Sequence, residues 1–187
     1  MAAPRPLRAD AQRNRDRLLA VAVRSFSADG PEASLETIAR AAGVGIGTLY
    51  RHFPNRDALV EAAYRSELAR LCDAVPGLLD GLAPDAALRA WMDRFVAYMT
   101  TKRGMAEALR ALIAAGGNPY AHSRDALLGA IGTLLAAGVR AGTVRADVPA
   151  TDVLASLSGI AHTAKEPTVP AGRLLDLLMD GLRYQPS

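Results

Sequence analysis

The segment Ser34-Leu-Glu-Thr-Ile-Ala-Arg-Ala-Ala-Gly-Val-Gly-Ile-Gly-Thr-Leu-Tyr-Arg-His-Phe53 constrains the fold more than any other stretch of the chain. Ser34 is a good N-cap, because its hydroxyl can accept from a free N–H of the first helical turn, and Glu36 stands near the positive end of the helix that follows. That helix is expected over 35–42, and a second short one over 46–52. Gly43 supplies the tight turn where a side chain would interfere. Ala39 is small enough for the crossing, while Ile38, Val44 and Leu49 fill the shared core. Two short helices joined in this way form a helix-turn-helix, whose second helix enters the major groove of DNA.

The flanking sequence supports such a reader. Residues 1–9 carry two prolines and are expected to form a flexible arm. A helix follows over 10–28, with Leu18, Leu19, Ala22, Val23 and Phe26 on one broad side, and Asp29-Gly30-Pro31 stops it. Beyond the reader, Phe53-Pro54-Asn55 breaks the chain, and Asn55 can cap a long helix over 56–74. Past Pro76 the pattern continues with helices over 84–100, 105–115, 120–137, 151–164 and 171–183. Pro84 falls where a first-turn proline costs nothing. No segment reads as a strand, and alanine and leucine, both abundant here, are strong helix formers. The fold class is therefore all-α, with about nine helices. An amino-terminal three-helix helix-turn-helix domain is expected over 10–55, and a larger helical ligand-binding and dimerisation domain over 56–187.

Charge agrees with this division. Residues 1–56 hold nine arginines against five acids, a net +4, whereas the whole chain of 187 residues carries +3. A basic first third suits contact with a polyanion, although a solvated arginine surface would give the same count. The apolar stretches are interrupted before they could span a membrane. The first residues lack the apolar core of a signal peptide, so a cytoplasmic location is expected. Cys72 is the only cysteine and reads as a small core residue.

The reader's roles follow from reach. Ile46, Gly47 and Thr48 open the second helix and should lie nearest the bases. Thr48 offers a hydroxyl or its methyl, Ile46 can touch a thymine methyl, and Gly47 permits close backbone approach. Tyr50, Arg51 and His52 suit phosphates and base edges at the rim. Tyr50 can alternatively serve packing, as Phe53 is expected to. Arg56, with the free N–H groups of its helix, makes a second phosphate site. Thr37 and the arm residues Arg5, Arg8 and Arg13 can meet the backbone or minor groove.

On these residues the sequence resembles the TetR family of transcriptional regulators. The match runs from Arg15-Asp-Arg-Leu-Leu-Ala-Val-Ala-Val-Arg-Ser-Phe-Ser-Ala-Asp-Gly30 through the reader to Phe53-Pro-Asn-Arg-Asp-Ala-Leu59, about the first third of the chain. The resemblance implies a homodimer that usually represses transcription and leaves DNA when a small molecule enters the larger domain. It also implies base or phosphate contacts for Thr48, Tyr50 and His52, and places the basic residue that opens the next helix at Arg56. Gly45 departs from the pattern, standing where a serine often begins the reading helix, and so bears on operator preference more than on folding.

In the remaining two thirds, Trp91, Phe95, Met99, Met105, Leu109, Ile113, Leu127 and Ile131 can either surround an apolar cavity or form solid core. Tyr98, Tyr120, His122 and His162 would give such a pocket its polar groups. Leu154, Leu157 and Ile160, with Leu174, Leu175, Leu178 and Leu182, supply faces that a second copy could bury as a four-helix bundle. Intramolecular core is the competing role of any one of these leucines. One cysteine and three separated histidines make no metal-ligand pattern, no cofactor is implied, and no spacing marks a hydrolase or phosphate loop. The partners expected are double-stranded DNA, a second copy and a small-molecule effector, with no membrane. The rivals are a ligand-independent DNA-binding or interaction protein, and a small helical enzyme using the carboxy-terminal cavity.

Overall fold

The computed structural model describes residues 5–163 and 170–183, with side chains from residue 10 onward. Apart from an isolated bridge between Val144 and Arg183, the regular elements among these residues are helices joined by turns, and the chain divides into two compact units. One comprises Met1–Glu67 with Thr101–Pro119, the other Leu68–Thr100 with Tyr120–Ser187. The expected boundary between residues 55 and 56 therefore lies inside the first unit.

In the first unit, α1 (Arg5–Asp29) begins within the segment expected to be an arm. Side chains of Arg5 and Arg8 lie outside the described residues. Leu18, Ala22 and Phe26 are completely buried along one face of α1, as their helical spacing requires. The helix stops at Gly30, where φ is +55°, and a 3₁₀ turn (Gly30–Glu32) leads to α2 (Leu35–Ala41). The close of α2 is set by Gly43 at φ +69°. Its N–H donates to Arg40 O and that of Val44 to Ala39 O, each at 3.0 Å. This pair of bonds satisfies carbonyls the helix leaves open, and needs a left-handed residue that glycine adopts without steric cost. The second short helix, α3 (Ile46–His52), follows at once. Asn55 then caps α4 (Arg56–Cys72), its Oδ1 accepting from Ala58 N at 2.8 Å.

The second unit takes up the chain near the end of α4. A short helix, α5 (Ala74–Gly81), was not among those expected; it contains Pro76. That proline stands in the first turn, where the missing N–H has no intrahelical partner to lose. Next, α6 (Pro84–Gly104) buries Leu88, Trp91, Met92, Phe95 and Tyr98, and Trp91 Nε1 donates to Leu71 O at 3.0 Å. Satisfying that N–H removes the main cost of burying an indole. The last three helices are α8 (Ser123–Arg140), α9 (Ala150–Thr163) and α10 (Ala171–Leu182). They pack in sequence, α8 on α9 and α9 on α10. Arg89 of α6 reaches α10 by donating to Asp176 at 2.8 Å and to Gly172 O at 3.4 Å.

Between these, α7 (Ala106–Ala114) belongs to the first unit and lies against the 3₁₀ turn. The approach of this region to α1 is closest at Gly104, where an added Cβ would stand 2.8 Å from Ser27 Cβ and 3.2 Å from its Cα. Neither atom can swing away. Gly104→Ala should therefore cost about 1–3 kcal/mol of stability, as overpacked sites do, read from urea unfolding. Combining it with Ser27→Gly should recover part of that loss. Equal losses with and without the serine side chain would contradict the close approach.

Candidate nucleic-acid interface

The site begins with two caps of unequal quality. Ser34 Oγ accepts from Thr37 N at 3.4 Å and donates to Glu36 Oε2 at 2.9 Å. A backbone N–H bond, and secondarily this hydroxyl, hold the Glu36 carboxyl below its ordinary range. Its contribution to stability is thus present above the usual glutamate pKa and is lost as pH falls through the depressed value. At α3 the cap is Gly45, in extended conformation with no side chain to accept from the first turn.

Buried and exposed residues separate cleanly on α3. Leu49 is fully buried and Phe53, just past the helix, is 2% exposed. On the other side Ile46 is 37% and Tyr50 46% exposed. Gly47 and Arg51 are exposed with them, while Thr48 and His52 are half-buried at the margin. Nothing lies within 4 Å of a Cβ built on Gly45 or Gly47. The outer face of α3 is open, and it carries an apolar group, a glycine, a phenol and a guanidinium. These are the means of meeting a base edge and a phosphate together.

On α2, Thr37 is exposed as expected, and Arg40 donates to its Oγ1 at 3.4 Å. Arg40 was missed as a candidate; its place three residues after Thr37, on the same helical face, was the available signal. Arg13 is exposed and paired with Asp10. Arg15 was also missed: its guanidinium stands over the Phe53 ring, 5.4 Å from the centroid.

Arg56 turns inward, donating to Ala33 O at 2.7 Å, to Pro31 O, and to Gly30 O at 3.4 Å. The guanidinium also lies 5.1 Å from the centre of the buried Phe26 ring.

The bacterial regulatory proteins, tetR family, match by their family model over residues 18–63, and the transcriptional regulator SbtR-like, C-terminal domain, matches over 83–184. A TetR transcriptional regulator from Streptomyces coelicolor is 57% identical, with a TM-score of 0.85 over 90% of this chain and 98% of that one. This chain belongs to the TetR family of transcriptional regulators. A TetR transcription regulatory protein from Mycobacterium vanbaalenii is 38% identical at a TM-score of 0.80, covering 96% of this chain and 100% of that chain. An HTH-type transcriptional regulator of Staphylococcus aureus (strain USA300) is 43% identical over 54 residues, 28% of this chain. The match spans only 29% of that relative's length.

In this TetR-family chain the pocket residues named from sequence are spread over both units. Trp91, Phe95, Tyr98, Leu127 and Ile131 are buried in the second unit, and Met99 is half-buried. Trp91 and Phe95 are packed with ring centres 5.9 Å apart, and Phe95 and Tyr98 at 6.2 Å. Met105 and Leu109 are buried in the first unit. Ile113 and Tyr120 are 44% and 37% exposed, and His122 and His162 are surface residues. His122 has a backbone role, holding φ at +63° as the residue before α8. A cavity of about 460 Å³ lies elsewhere, along α10, and is lined by Pro170, Arg173, Leu174, Asp176, Leu177 and Asp180.

The dimer candidates divide in the same way. Leu154, Leu157, Leu175 and Leu182 are buried within the chain itself, so their competing role as intramolecular core holds. Ile160, Leu174 and Leu178 stay half-exposed, and Leu177, not named from sequence, is 68% exposed. The helix α10 is apolar on two sides: Leu175, Met179 and Leu182 face inward, while Leu174, Leu177 and Leu178 lie off that stripe. Among the described residues no group of His, Cys, Asp and Glu could hold a metal ion, and no helix is long and apolar enough to cross a membrane.

The open surroundings of Gly45 make the unequal caps testable. Gly45→Ser should raise the thermal midpoint slightly, by the few tenths of a kcal/mol that separate these caps, and should tighten duplex binding by adding a hydroxyl at the head of α3. A lowered midpoint would mean that the extended Gly45 backbone does not accommodate serine.

Proposed function

We propose that this TetR-family regulator represses transcription by binding a palindromic operator as a homodimer, and that a small-molecule ligand releases it. The observation that carries the reading is the open face of α3, with Ile46, Gly47, Tyr50 and Arg51 outward while Leu49 and Phe53 fix its inner side. A helix of this width fits the major groove, where Ile46 and Thr48 meet base edges and Tyr50, Arg51 and His52 meet the rim.

Dimerisation is supported by the outer stripe of α10. An apolar side chain as exposed as Leu177, flanked by Leu174 and Leu178, gains free energy when a second copy covers it. Two readers related by a twofold axis then meet grooves about 34 Å apart or a multiple of that distance, which makes the operator a near-palindrome. Release requires a ligand with greater affinity for the arrangement that cannot span both grooves. Equal affinity for both arrangements would change nothing.

The test is binding to a duplex enriched from a random-sequence pool, followed by fluorescence anisotropy over a series of salt concentrations. Log affinity should fall linearly with log salt, as phosphate neutralisation requires. Arg51→Ala should weaken binding by about 1–3 kcal/mol, roughly 5- to 150-fold. Affinity untouched by the combined loss of Tyr50 and Arg51 side chains would remove α3 from the interface.

A further inference from the structure

We infer that Arg56 is a positioning residue for DNA recognition, a clamp that sets the reading helix in place without itself touching phosphate. The inference rests on the duplex-binding function proposed above. Arg56 is the first residue of α4, three positions beyond Phe53, so it fixes the chain directly after α3. Its three carbonyl partners, Gly30, Pro31 and Ala33, all belong to the connection between α1 and α2. Ala33 in turn precedes Ser34, the cap of α2. One guanidinium thus joins the exit of the reader to the entry of its partner helix.

The chemistry suits arginine specifically. Gly30 O already accepts from Ala33 N at 3.5 Å, closing the 3₁₀ turn, and a planar group with five N–H donors can serve several such carbonyls at once. The face of the same group stacks on Phe26, which is fully buried in α1. A lysine would bring a compact charge that can neither stack in this way nor fork between carbonyls.

A second contact makes the need for such a clamp plain. The helix α3 has only seven residues, too few to persist alone in water, so neighbouring groups dictate where it points. Arg15 of α1 holds Phe53 at the end of α3 by its position over that ring. Arg56 of α4 holds Phe26 of α1 in the same manner. The two cation–aromatic contacts run in opposite senses between α1 and the chain around α3, closing the three-helix head on itself.

Arginine at this place can act as a clamp or as a phosphate ligand, and salt separates the two. A lost phosphate contact lowers the slope of log affinity against log salt by about one unit. A lost clamp leaves the number of contacted phosphates unchanged and misplaces the reader. Wild-type chain, Arg56→Ala and Arg56→Lys would be titrated with the enriched duplex over a salt series. All measurements would be made well below each variant's melting temperature, where circular dichroism shows full folding. The expected result for Arg56→Ala is a loss of about tenfold, the equivalent of one base contact, with the wild-type salt slope and little recovery in Arg56→Lys.

Phe26→Leu keeps the charge and removes the stacking face, which covers the case in which Arg56→Ala does not fold. It should weaken binding at unchanged slope. A slope reduced by about one in Arg56→Ala, with affinity restored in Arg56→Lys, would assign phosphate ligation and overturn the clamp. Unchanged affinity in a folded Arg56→Ala, or in Phe26→Leu where Arg56→Ala fails to fold, would also overturn it. Wild-type chain that retains no duplex would defeat the DNA-binding function itself, and this role with it.

Discussion

A seven-residue helix has no stability of its own, and everything the first unit does depends on how α3 is held. Nucleating a helix costs more than one or two turns of hydrogen bonds return. The position of α3 therefore comes from burial of Leu49 and Phe53 on its inner side, each group contributing about 1.5–3 kcal/mol when fully removed from water. The same burial leaves Ile46, Tyr50 and Arg51 nowhere to go but outward. Recognition and folding are thus opposite faces of one short helix. The residues between them, Thr48 and His52, are half-buried because they stand at the boundary.

The second unit solves a different problem with the same means. Its long helices bury large side chains, and the one polar atom carried in by Trp91 finds Leu71 O. Arg89 bridges α6 and α10 through Asp93 and Asp176. Desolvation opposes its charge, while hydrogen bonds to Asp93 and Asp176 outweigh that and raise its pKa above the ordinary arginine value. The Arg89–Asp176 pair ties α10 to α6, so the outer leucines are displayed on a braced helix. Exposure of Leu177 on such a helix is what makes an association surface there physically reasonable.

Much of this was legible in the residues. The stop at Gly30, the turn at Gly43 and the caps at Ser34 and Asn55 follow from local chemistry, and local chemistry governed them. The residues that escaped are those whose roles depend on three-dimensional neighbours. No helix was expected between residues 74 and 84, although Pro76 occupies a first turn, where proline is tolerated. Arg56 reads as a free cation because nothing in one dimension brings it to the carbonyls of the α1–α2 connection, more than twenty residues earlier. On α10 two apolar stripes overlap at helical spacing, so Leu175 and Leu182 could be grouped with Leu174 and Leu178, and Leu177 was passed over. The aromatic run of α6 was equally consistent with cavity or core; its rings pack on one another at about 6 Å.

The proposed function requires two copies of α3 in successive major grooves on one face of a duplex. Hydroxyl-radical footprinting of the wild-type chain on a duplex recovered from a random pool reads this directly. Two protected patches of equal extent are expected on the same face, centred about 34 Å apart or a whole multiple of it, over a sequence with twofold symmetry. A single patch lacking symmetry, or two patches on opposite faces, would contradict the proposed function.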